Sequence, residues 1–302
     1  MTPGTTIARH GKWASRLITE VNAEKWRDVA EQARSAAIPL VVRDFINLQA
    51  KLWSPERMVA QWGSSEVDVA VDLPSHGVPY REQFGSHQKR MKLADFVELM
   101  QSGQSCYLTQ VPLNSFPELD HDLNVKDLRL GRVFSRNLWV GNNTRSGLHF
   151  DNADNLFCQL YGAKRALLVG PKHSKFLYPF ADNPSKSQVD LDSPDFARHP
   201  KSARIEVWGC ELNAGDALYI PRGWWHYIST TDISISINCW HGDALSAFER
   251  LRMFLSGGLR VVGRASYDFF WHGVFGRPYS PRLFSPISPG MQAYNRMKAR
   301  FK

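Results

Sequence analysis

The sequence predicts a mainly β protein built on an antiparallel sandwich or barrel, with helices packed outside that core. The first observation is that apolar residues between 134 and 240 come in short runs broken by Gly, Asn, Asp or Pro, which is typical of antiparallel folds. The second is the strict alternation in residues 233–238, which places isoleucines on a packed face of a strand and serines on the opposite face. The predicted core strands are residues 134–140, 148–152, 155–160, 165–169, 204–212, 217–220 and 233–240.

The first hundred residues predict an α/β extension of this core. Residues 23–37 have the apolar spacing of an amphipathic helix. Ser54 followed by Pro55 is typical of a helix N-cap and its first helical position. We expect further strands at 38–42, 66–71 and 106–111, and a further helix at 93–100.

Two segments lie within or after the β core. Residues 182–200 contain three prolines and many polar residues, so we expect a long loop there, and such a loop inside a compact domain is often functional. An amphipathic helix is predicted from residue 247 to the glycine pair at 257–258. The chain is therefore expected to divide into an N-terminal α/β extension (1–104), a core (105–243) and a basic helical segment (244–302).

Composition narrows the class of protein. With 302 residues, of which 43% are apolar, the chain can bury a large core. It has neither an apolar stretch near its start nor an uncharged apolar run of about 18 residues, so the sequence predicts a soluble protein that does not enter a membrane. The scattered cysteines form no C-x-x-C pair and indicate free thiols of a reducing compartment, the cytoplasm or, in a eukaryote, the nucleus. They are Cys106, Cys158, Cys210 and Cys239.

The net charge of +8 is concentrated at the C-terminal end. From Arg250 onward the chain has ten Lys or Arg residues and one acid, Asp268, so that this segment carries +9 and the remainder −1. The simplest interpretation is a solvated helical cap. The alternatives are a surface for nucleic acid or for the acidic face of a partner.

Three residues form a candidate metal site. His149 and Asp151 are two residues apart, so on a strand both side chains leave the same face. His226 follows a turn at 221–225 that begins just after the strand-like run 216–220. Two imidazoles and one carboxylate are the ligand set of a facial-triad non-haem Fe(II) site, which leaves coordination positions open for a co-substrate and O2. No nucleophile elbow or nucleotide-binding glycine motif accompanies them, which disfavours hydrolase and nucleotide-dependent chemistry.

The motifs around these residues resemble a known family. They are residues 147–151 (Gly-Leu-His-Phe-Asp), 155–165 (Asn-Leu-Phe-Cys-Gln-Leu-Tyr-Gly-Ala-Lys-Arg), 187–190 (Ser-Gln-Val-Asp), 214–221 (Ala-Gly-Asp-Ala-Leu-Tyr-Ile-Pro) and 224–226 (Trp-Trp-His). In order and spacing, residues from about 38 to 240 resemble the JmjC-type cupin family of Fe(II)- and 2-oxoglutarate-dependent oxygenases. The resemblance is to its small hydroxylase branch, which includes the asparaginyl hydroxylase of hypoxia-inducible factor and the tRNA wybutosine hydroxylase. It implies a double-stranded β-helix, the cupin jelly roll, with an N-terminal α/β extension and a C-terminal helical cap.

The resemblance implies a metal and a co-substrate. It implies that His149, Asp151 and His226 bind Fe(II), and that Lys164 pairs with the distal carboxylate of 2-oxoglutarate. A cation at that end agrees with elementary electrostatics, because a buried carboxylate without a partner is costly. Fe(II), 2-oxoglutarate and O2 are therefore the expected cofactor and co-substrates.

Further residues receive roles from the same resemblance. Tyr107 and Ser146 fall where the hydroxylases place hydroxyl donors to the distal carboxylate. Asn155 and Asn238 fall where amides line the co-substrate and metal pocket, and Trp240 falls where a tryptophan flanks the substrate. We expect the substrate to approach over Trp240 and the loop at 182–200.

Two positions bear on the choice of substrate. Ser185 and Lys186 stand where the asparaginyl hydroxylase has a substrate-gripping Arg-Gln pair, which weakens the case for asparagine as the target. Demethylases of the family commonly have Glu where this chain has Asp151, which favours hydroxylation over demethylation.

The predicted function is hydroxylation of a protein or peptide side chain by a 2-oxoglutarate-dependent dioxygenase. The alternatives are hydroxylation of a tRNA or other nucleic-acid base, hydroxylation of a small molecule, and N-methyl demethylation. A metal-binding cupin module that mediates interactions without turnover is the non-enzyme alternative. We also expect residues 247–262 to contribute to a homodimer, because they carry an apolar stripe near the end of the chain.

Overall fold

A computed structural model of the chain describes residues 13–46, 52–74, 87–123, 132–243, 245–280 and 287–300. Its strands are β1 (Ala14–Leu17), β2 (Thr19–Asn22), β3 (Leu40–Arg43), β4 (Glu66–Val71), β5 (Gln88–Lys92), β6 (Cys106–Pro112), β7 (Val133–Asn142), β8 (Thr144–Arg145), β9 (His149–Phe150), β10 (Asp154–Tyr161), β11 (Lys164–Val169), β12 (Glu206–Leu212), β13 (Ala217–Ile220), β14 (Trp225–Thr230) and β15 (Ser234–His241). Its helices are α1 (Ala23–Ala36), α2 (Pro55–Trp62), α3 (Leu93–Gln101), α4 (Pro117–Leu123), α5 (Ala247–Ser256), α6 (Leu259–Tyr267) and α7 (Pro289–Arg300). A π-helical turn, Asp268–Val274, continues from α6.

The strands form two sheets that we call the major and the minor sheet. The major sheet has nine strands in the order β2-β3-β13-β10-β15-β7-β6-β4-β5. The minor sheet has six, in the order β1-β12-β11-β14-β8, with β9 also paired to β14. The pairs β1–β12 and β2–β3 are parallel, and the other pairs are antiparallel. Strands β2 to β5 from the N-terminal part of the chain thus extend the same sheet that carries the core strands.

Alternation along the strands decides which side chains lie between the sheets. In β15, Ile235 and Ile237 join the apolar layer on the outer face of the major sheet, together with Trp26 of α1 and Phe96 of α3. The intervening Ser236 is buried on the opposite face, which looks toward the minor sheet. The predicted packing of the isoleucines is confirmed. The serine face is also buried, because the minor sheet covers it.

An apolar cluster from both sheets holds them together. Phe157 and Leu218 from the major sheet pack with Ala166 and Leu168 from the minor sheet. The outer face of the minor sheet is covered instead by residues of the long loop, including Val189. A polar cavity between the two sheets begins where this apolar cluster ends.

Most predicted element positions are confirmed within a few residues, and the differences have local causes. The strand predicted at 148–152 is only the two-residue β9, because the chain bends after Phe150 to enter β10. The strand predicted at 38–42 begins at Leu40, because Ala37 ends α1 in the left-handed conformation with φ of 49°. The strand predicted at 204–212 begins at Glu206, because Pro200–Arg204 forms a 3-10 turn.

Helix ends and the long loop follow the predictions closely. Ser54 caps α2 by accepting a hydrogen bond from the backbone N–H of Arg57. Ser246 and Glu249 form a reciprocal capping box at the start of α5. Residues 182–199 contain neither a helix nor a strand, as expected of the loop predicted at 182–200.

Candidate active site

The two histidines of the predicted triad lie directly opposite each other on neighbouring strands. His149 on β9 pairs in register with His226 on β14, and their ring centroids are 4.2 Å apart. Cross-strand neighbours of this kind bring their side chains together on one face of a sheet. A short strand of two residues is therefore enough to place both imidazoles at the same point.

Asp151 is held beside the histidines by two hydrogen bonds. Its carbonyl oxygen accepts from the N–H of Gly223 at 2.9 Å, in the turn that leads to His226. Gly223 has φ of 79°, a conformation that favours glycine. The Asp151 carboxylate oxygen Oδ2 accepts from Nε1 of Trp240 at 3.0 Å and lies 3.7 Å from Nε2 of His226.

The donor atoms of the triad fit a metal ion. Each of the three residues offers a ligand atom, and these atoms all lie within 4.8 Å of one another. Nδ1 of His149 lies 2.8 Å from the carbonyl oxygen of Gly147, and Nδ1 of His226 lies 3.1 Å from that of Trp224. These contacts leave Nε2 of each ring as the ligand atom, which is how ligating histidines are usually oriented. Among the described residues, no other cluster of His, Cys, Asp and Glu meets this criterion.

The protonation state of the histidines suits metal binding. Burial, reinforced by the positive charge of Lys186, lowers the pKa of His149 well below its usual value. Burial also lowers the pKa of His226, against the opposing effect of Asp151. Both rings are therefore neutral at physiological pH, and neutral imidazole is the form that binds a metal.

The triad opens into a cavity of about 530 Å³ between the two sheets. A cavity of that size accommodates a small co-substrate together with part of a larger substrate. Its lining residues include Tyr107, Trp139, Ser146, Asn155, Phe157, Phe180, Asn183, Lys186, Asn238 and Trp240. All of the predicted site residues except Lys164 thus line the same cavity.

Lys164 is buried behind the rings that line the cavity. Its exposed fraction is 2%, and Nζ lies 5.3 Å and 5.7 Å from the ring centroids of Phe157 and Tyr107. Its described hydrogen-bond partner is a hydroxyl, Ser236 Oγ at 2.6 Å. Burial lowers the pKa of Lys164 to about 7. A buried lysine that contacts a hydroxyl and two rings, in place of a carboxylate, is a suitable site for an incoming anion.

Comparison with known proteins identifies the fold family. A family model described as "Cupin-like domain" matches residues 26–246. The chain belongs to the JmjC-type cupin-like domain family. The predicted family and jelly-roll fold are thereby confirmed, and this is a family of oxygenases that use Fe(II), 2-oxoglutarate and O2.

Similarity to individual relatives covers part of this chain and part of each relative. The chain is 33% identical to Lysine-specific demethylase JMJ30 of Arabidopsis thaliana over 165 residues, which are 51% of this chain and 38% of the relative. It is 30% identical to Lysine-specific demethylase 8 of Danio rerio over 201 residues, 62% of this chain and 48% of the relative. It is 35% identical to human tRNA wybutosine-synthesizing protein 5 over 91 residues, 30% of this chain and 28% of the relative. The chain thus spans less than half the length of these relatives.

Two amides of the cupin-like domain have polar atoms that the fold leaves for a ligand. Asn238 Oδ1 accepts from Trp139 Nε1 at 2.7 Å and from Asn137 Nδ2 at 3.3 Å. Asn238 Nδ2 is a buried donor and Asn155 Oδ1 is a buried acceptor, and neither atom has a hydrogen-bond partner among the described residues. Because buried polar atoms are usually paired, an acceptor and a donor are expected from whatever fills the cavity.

The two predicted hydroxyl donors occupy different environments. Tyr107 lines the cavity, and its ring lies next to Lys164. Ser146 also lines the cavity, but its Oγ accepts a hydrogen bond from the backbone N–H of Ile228 at 2.9 Å. That bond ties Ser146 to β14, while its own hydroxyl proton can still be donated to a ligand.

The structure places three further residues in the site to which the sequence prediction gave no role; one of them, Lys186, stands at a position that the resemblance aligned with a substrate-gripping residue. Ser236 contacts Lys164, Trp139 contacts Asn238, and Lys186 lines the cavity near the triad. Ser236 could have been found from the alternation of β15, because it shares a face with Asn238. The positions of the other two depend on contacts between distant segments.

Two further predictions concern the cysteines and membrane-spanning segments. All four cysteines are buried free thiols, as expected. No helix in the described parts of the chain has the length and apolar character needed to cross a membrane.

Proposed function

We propose that this protein is an Fe(II)- and 2-oxoglutarate-dependent hydroxylase that acts on a side chain of a protein or peptide. The convergence of His149, Asp151 and His226 at a polar cavity carries this proposal. The buried ammonium of Lys164 beside that cavity supports it, since a dicarboxylate needs a cation at the end remote from the metal.

Each residue of the site has a role under this proposal. The triad holds Fe(II), and Lys164 with Ser236 binds the distal carboxylate of 2-oxoglutarate. Tyr107 and Ser146 add hydroxyl donors. When bound, the metal, 2-oxoglutarate and O2 together supply the oxidising power for attack on a C–H bond.

The protein contributes orientation and exclusion of water. Trp240 holds the Asp151 carboxylate through its indole N–H, while its ring lines the cavity where a substrate would lie. Asn155 and Asn238 offer amide groups inside the cavity, which can fix the position of a bound molecule. Such fixed dipoles lower the barrier only if the substrate is held at the right distance from the oxidant.

A protein substrate is supported by the names of the relatives. Two of those reported above are lysine-specific demethylases by name, so their names place their action on lysine residues. Demethylation of an N-methyl group begins with the same attack on a C–H bond, and the geometry of the triad serves either outcome. The alternative without turnover is a metal-binding interaction module.

The test is turnover of 2-oxoglutarate to succinate by the purified chain with Fe(II) and candidate peptides. We expect activity that is lost on chelation with EDTA and is regained with Fe(II), and that is absent from His149→Ala. Turnover that survives both changes would refute the proposal. Metal uptake by the wild type with no 2-oxoglutarate turnover under any condition would favour the interaction module.

A nucleic-acid substrate is a second candidate, favoured by one surface feature. Tyr267 and Trp271 stack with centroids 6.0 Å apart, and Arg264 and Arg277 lie over these rings at 5.9 Å and 5.5 Å. Exposed aromatic rings flanked by arginines suit single-stranded nucleic acid. Binding of an unmodified tRNA that weakens steeply with salt would support this candidate, and indifference to salt would oppose it.

A further inference from the structure

Strand β6 has a bulge where it passes the cavity. Its register with β7 shifts between Leu108 and Val111, where β6 has one residue more than β7. Thr109 and Gln110 therefore share the place opposite Trp139. Bulges are common next to active sites, where they change the direction of a side chain.

The bulge directs two consecutive polar side chains into the cavity. In a regular strand, neighbouring side chains point to opposite faces of the sheet. Leu108 and Val111 both pack into the apolar layer on the outer face of the major sheet. Thr109 and Gln110, which lie between them, both line the cavity on the inner face. Without the extra residue, the alternation would place Gln110 on the outer face, away from the cavity.

Gln110 occupies this position in a backbone conformation that suits another residue type. Its φ is 53°, in the left-handed region that favours glycine. Among the described residues, six other than glycine have a positive φ, and Gln110 is the member of that set that lines the cavity. Residues in sparsely populated conformations cluster at ligand-binding sites. A side chain that contacts a ligand is a reason for glutamine at a position that suits glycine.

The Gln110 side chain lies at the entrance of the cavity. It is exposed, as are those of Asp68 and Gln88, which line the cavity from β4 and β5. Exposure falls across the sheet toward β15, because Trp139 on β7 is half-buried and Asn238 on β15 is buried. The reacting side chain of a substrate must pass inward to the triad, so Gln110 contacts the part of the substrate that stays at the entrance.

A carboxamide at the entrance complements a peptide unit. It offers N–H donors and a carbonyl acceptor in one plane, and it carries no charge that would favour a charged side chain. Neither Gln110 nor Thr109 has a side-chain hydrogen-bond partner among the described residues. Both groups are therefore available to a substrate.

We propose that Gln110 binds the main chain of the substrate close to the reacting residue, so that the substrate is an extended peptide segment and not a free amino acid. This inference rests on the proposed function. Oε1 of Gln110 accepts a hydrogen bond from a substrate peptide N–H, and Nε2 donates to a substrate carbonyl. Recognition of the main chain at this point is independent of the substrate sequence.

Binding tests this proposal without depending on turnover. The wild type is loaded with Mn(II) and N-oxalylglycine, an analogue of 2-oxoglutarate that is not decarboxylated. Twenty fluorescent nonapeptides, with alanine at every position except a variable centre, are compared by anisotropy, and the tightest binder is taken further. Alanine elsewhere leaves the central side chain as the one that enters the cavity.

An ester scan of that peptide locates the hydrogen bond. Two strand spacings, about 10 Å, separate β6 from β15, which is the length of about three extended residues. One peptide bond at a time is therefore replaced by an ester, from the third residue before the centre to the third after it. The ester removes the N–H without adding bulk. We expect one ester to bind the wild type about 3- to 10-fold more weakly, the net effect of one hydrogen bond.

Variants assign that hydrogen bond to the residue. Gln110→Gly should bind the parent peptide and that ester with equal affinity, because the double-mutant cycle then contains no partner for the N–H. Asn143→Gly is the matched control. Asn143 has φ of 48° and is exposed, but it is not a lining residue of the cavity. This variant should show the same loss with the ester as the wild type.

Chemical unfolding separates a role in binding from a role in the fold. Gln110→Gly should unfold at the same or a higher denaturant concentration than the wild type, because glycine suits the left-handed conformation. Unfolding at a lower concentration would show that the side chain supports the fold, and would overturn the inference.

The remaining outcomes separate this inference from the proposed function. If N-oxalylglycine does not bind the metal-loaded wild type, the proposed function itself fails. If it binds, but none of the nonapeptides binds or no ester weakens binding, only the inference about Gln110 fails. An ester effect that persists unchanged in Gln110→Gly overturns it as well.

Discussion

Nε1 of Trp240 donates a 3.0 Å hydrogen bond to Oδ2 of Asp151, joining the residue predicted to flank the substrate to one of the predicted metal ligands. Trp240 lies on β15 of the major sheet, whereas Asp151 follows β9 of the minor sheet. The contact therefore spans the two sheets at the site. Because of this hydrogen bond, the orientation of the Asp151 carboxylate depends on the position of the Trp240 side chain.

Replacing Trp240 with Phe tests this coupling. The change keeps most of the ring but removes the N–H, so the carboxylate loses a partner that holds it in place. We expect metal affinity to fall by about 10- to 100-fold, the usual effect of losing a hydrogen bond to a ligand. Titration with Mn(II) followed by calorimetry measures it.

Trp139 provides the control for this substitution. Its indole N–H bonds Asn238 and not a triad residue, so Trp139→Phe removes a similar group from the same cavity. Metal affinity should stay close to that of the wild type in this variant. Equal affinities of Trp240→Phe and the wild type would show that the indole N–H does not orient the ligand.

Lys164→Met should weaken 2-oxoglutarate binding while leaving metal binding intact. Methionine has a similar length but no charge, so the distal carboxylate would be buried without a partner. We expect the dissociation constant to rise by about 100-fold, as for removal of one member of a buried charge pair. Titration of the Mn(II)-loaded protein with 2-oxoglutarate measures it, and an unchanged constant would remove Lys164 from the co-substrate site.

The affinity for 2-oxoglutarate should depend on pH through Lys164. Burial lowers the pKa of this lysine to about 7, whereas a bound carboxylate raises it, so binding takes up a proton above pH 7. Below pH 7 the lysine is already charged and contributes no pH dependence. Above it, the dissociation constant should rise by up to about tenfold per pH unit until the pKa of the complex is reached.

Calorimetry at several pH values, in buffers with different ionisation enthalpies, detects this proton directly. Lys164→Met should show the same weak affinity throughout that pH range, because its side chain does not titrate. Affinity of the wild type that improves as the pH rises above 7 would have the wrong sign and would contradict the assignment.

The parts of the site that could be predicted are those set by local periodicity and motif. The spacing of His149 and Asp151 predicts a shared face of one strand, whereas β9 ends at Phe150 and Asp151 lies in the bend that follows it. His226 is predicted to follow a turn, and it is the second residue of β14, a strand that the sequence prediction did not include. The three residues of the triad come together only because β9 pairs with β14. The family resemblance implies that they share a metal, whereas their spacing in the sequence alone does not. Lys164 was found in the same way, at the first residue of β11.

The residues that were not predicted owe their positions to long-range pairing. Lys186 reaches the triad because the loop backbone pairs with β9, and no periodicity in residues 182–200 indicates that contact. Trp139 is one of several tryptophans along the β core, and only the pairing of β7 with β15 brings its indole to Asn238. The π-helical turn after α6 likewise depends on packing against α7 and has no marked local signal.

An apolar stripe on the C-terminal helices should form a homodimer contact. None of the residues of α5 is buried, and Phe248, Leu251 and Leu255 are 73%, 53% and 52% exposed. A contiguous exposed stripe of this kind is typical of an interaction surface. We expect a dimer in light scattering that Leu251→Glu converts to monomer, while Arg252→Gln on the same helix has no effect. A wild-type mass equal to the monomer at every concentration would contradict the prediction.

Gly290→Ala should loosen the C-terminal helices. A Cβ at Gly290 would lie 2.0 Å from the carbonyl oxygen of Ala265 and 2.9 Å from the backbone nitrogen of Phe269. Backbone atoms cannot rotate away as a side chain can, so α7 would have to move off α6 and the π-helical turn. We expect a loss of about 1–3 kcal/mol in the local stability of these helices, the usual cost of overpacking.

Gly263→Ala is the matched substitution in the same helical segment. Gly263 lies within α6, and an added Cβ would have no atom within 4 Å. Alanine there should raise helix stability by about 0.5–1 kcal/mol, because it restricts the unfolded backbone more than glycine does. Hydrogen exchange of α6 and α7 measures both changes. Faster exchange in Gly290→Ala together with slower exchange in Gly263→Ala is the expected pattern, and protection of α7 in Gly290→Ala equal to that of the wild type would contradict the close packing of these helices.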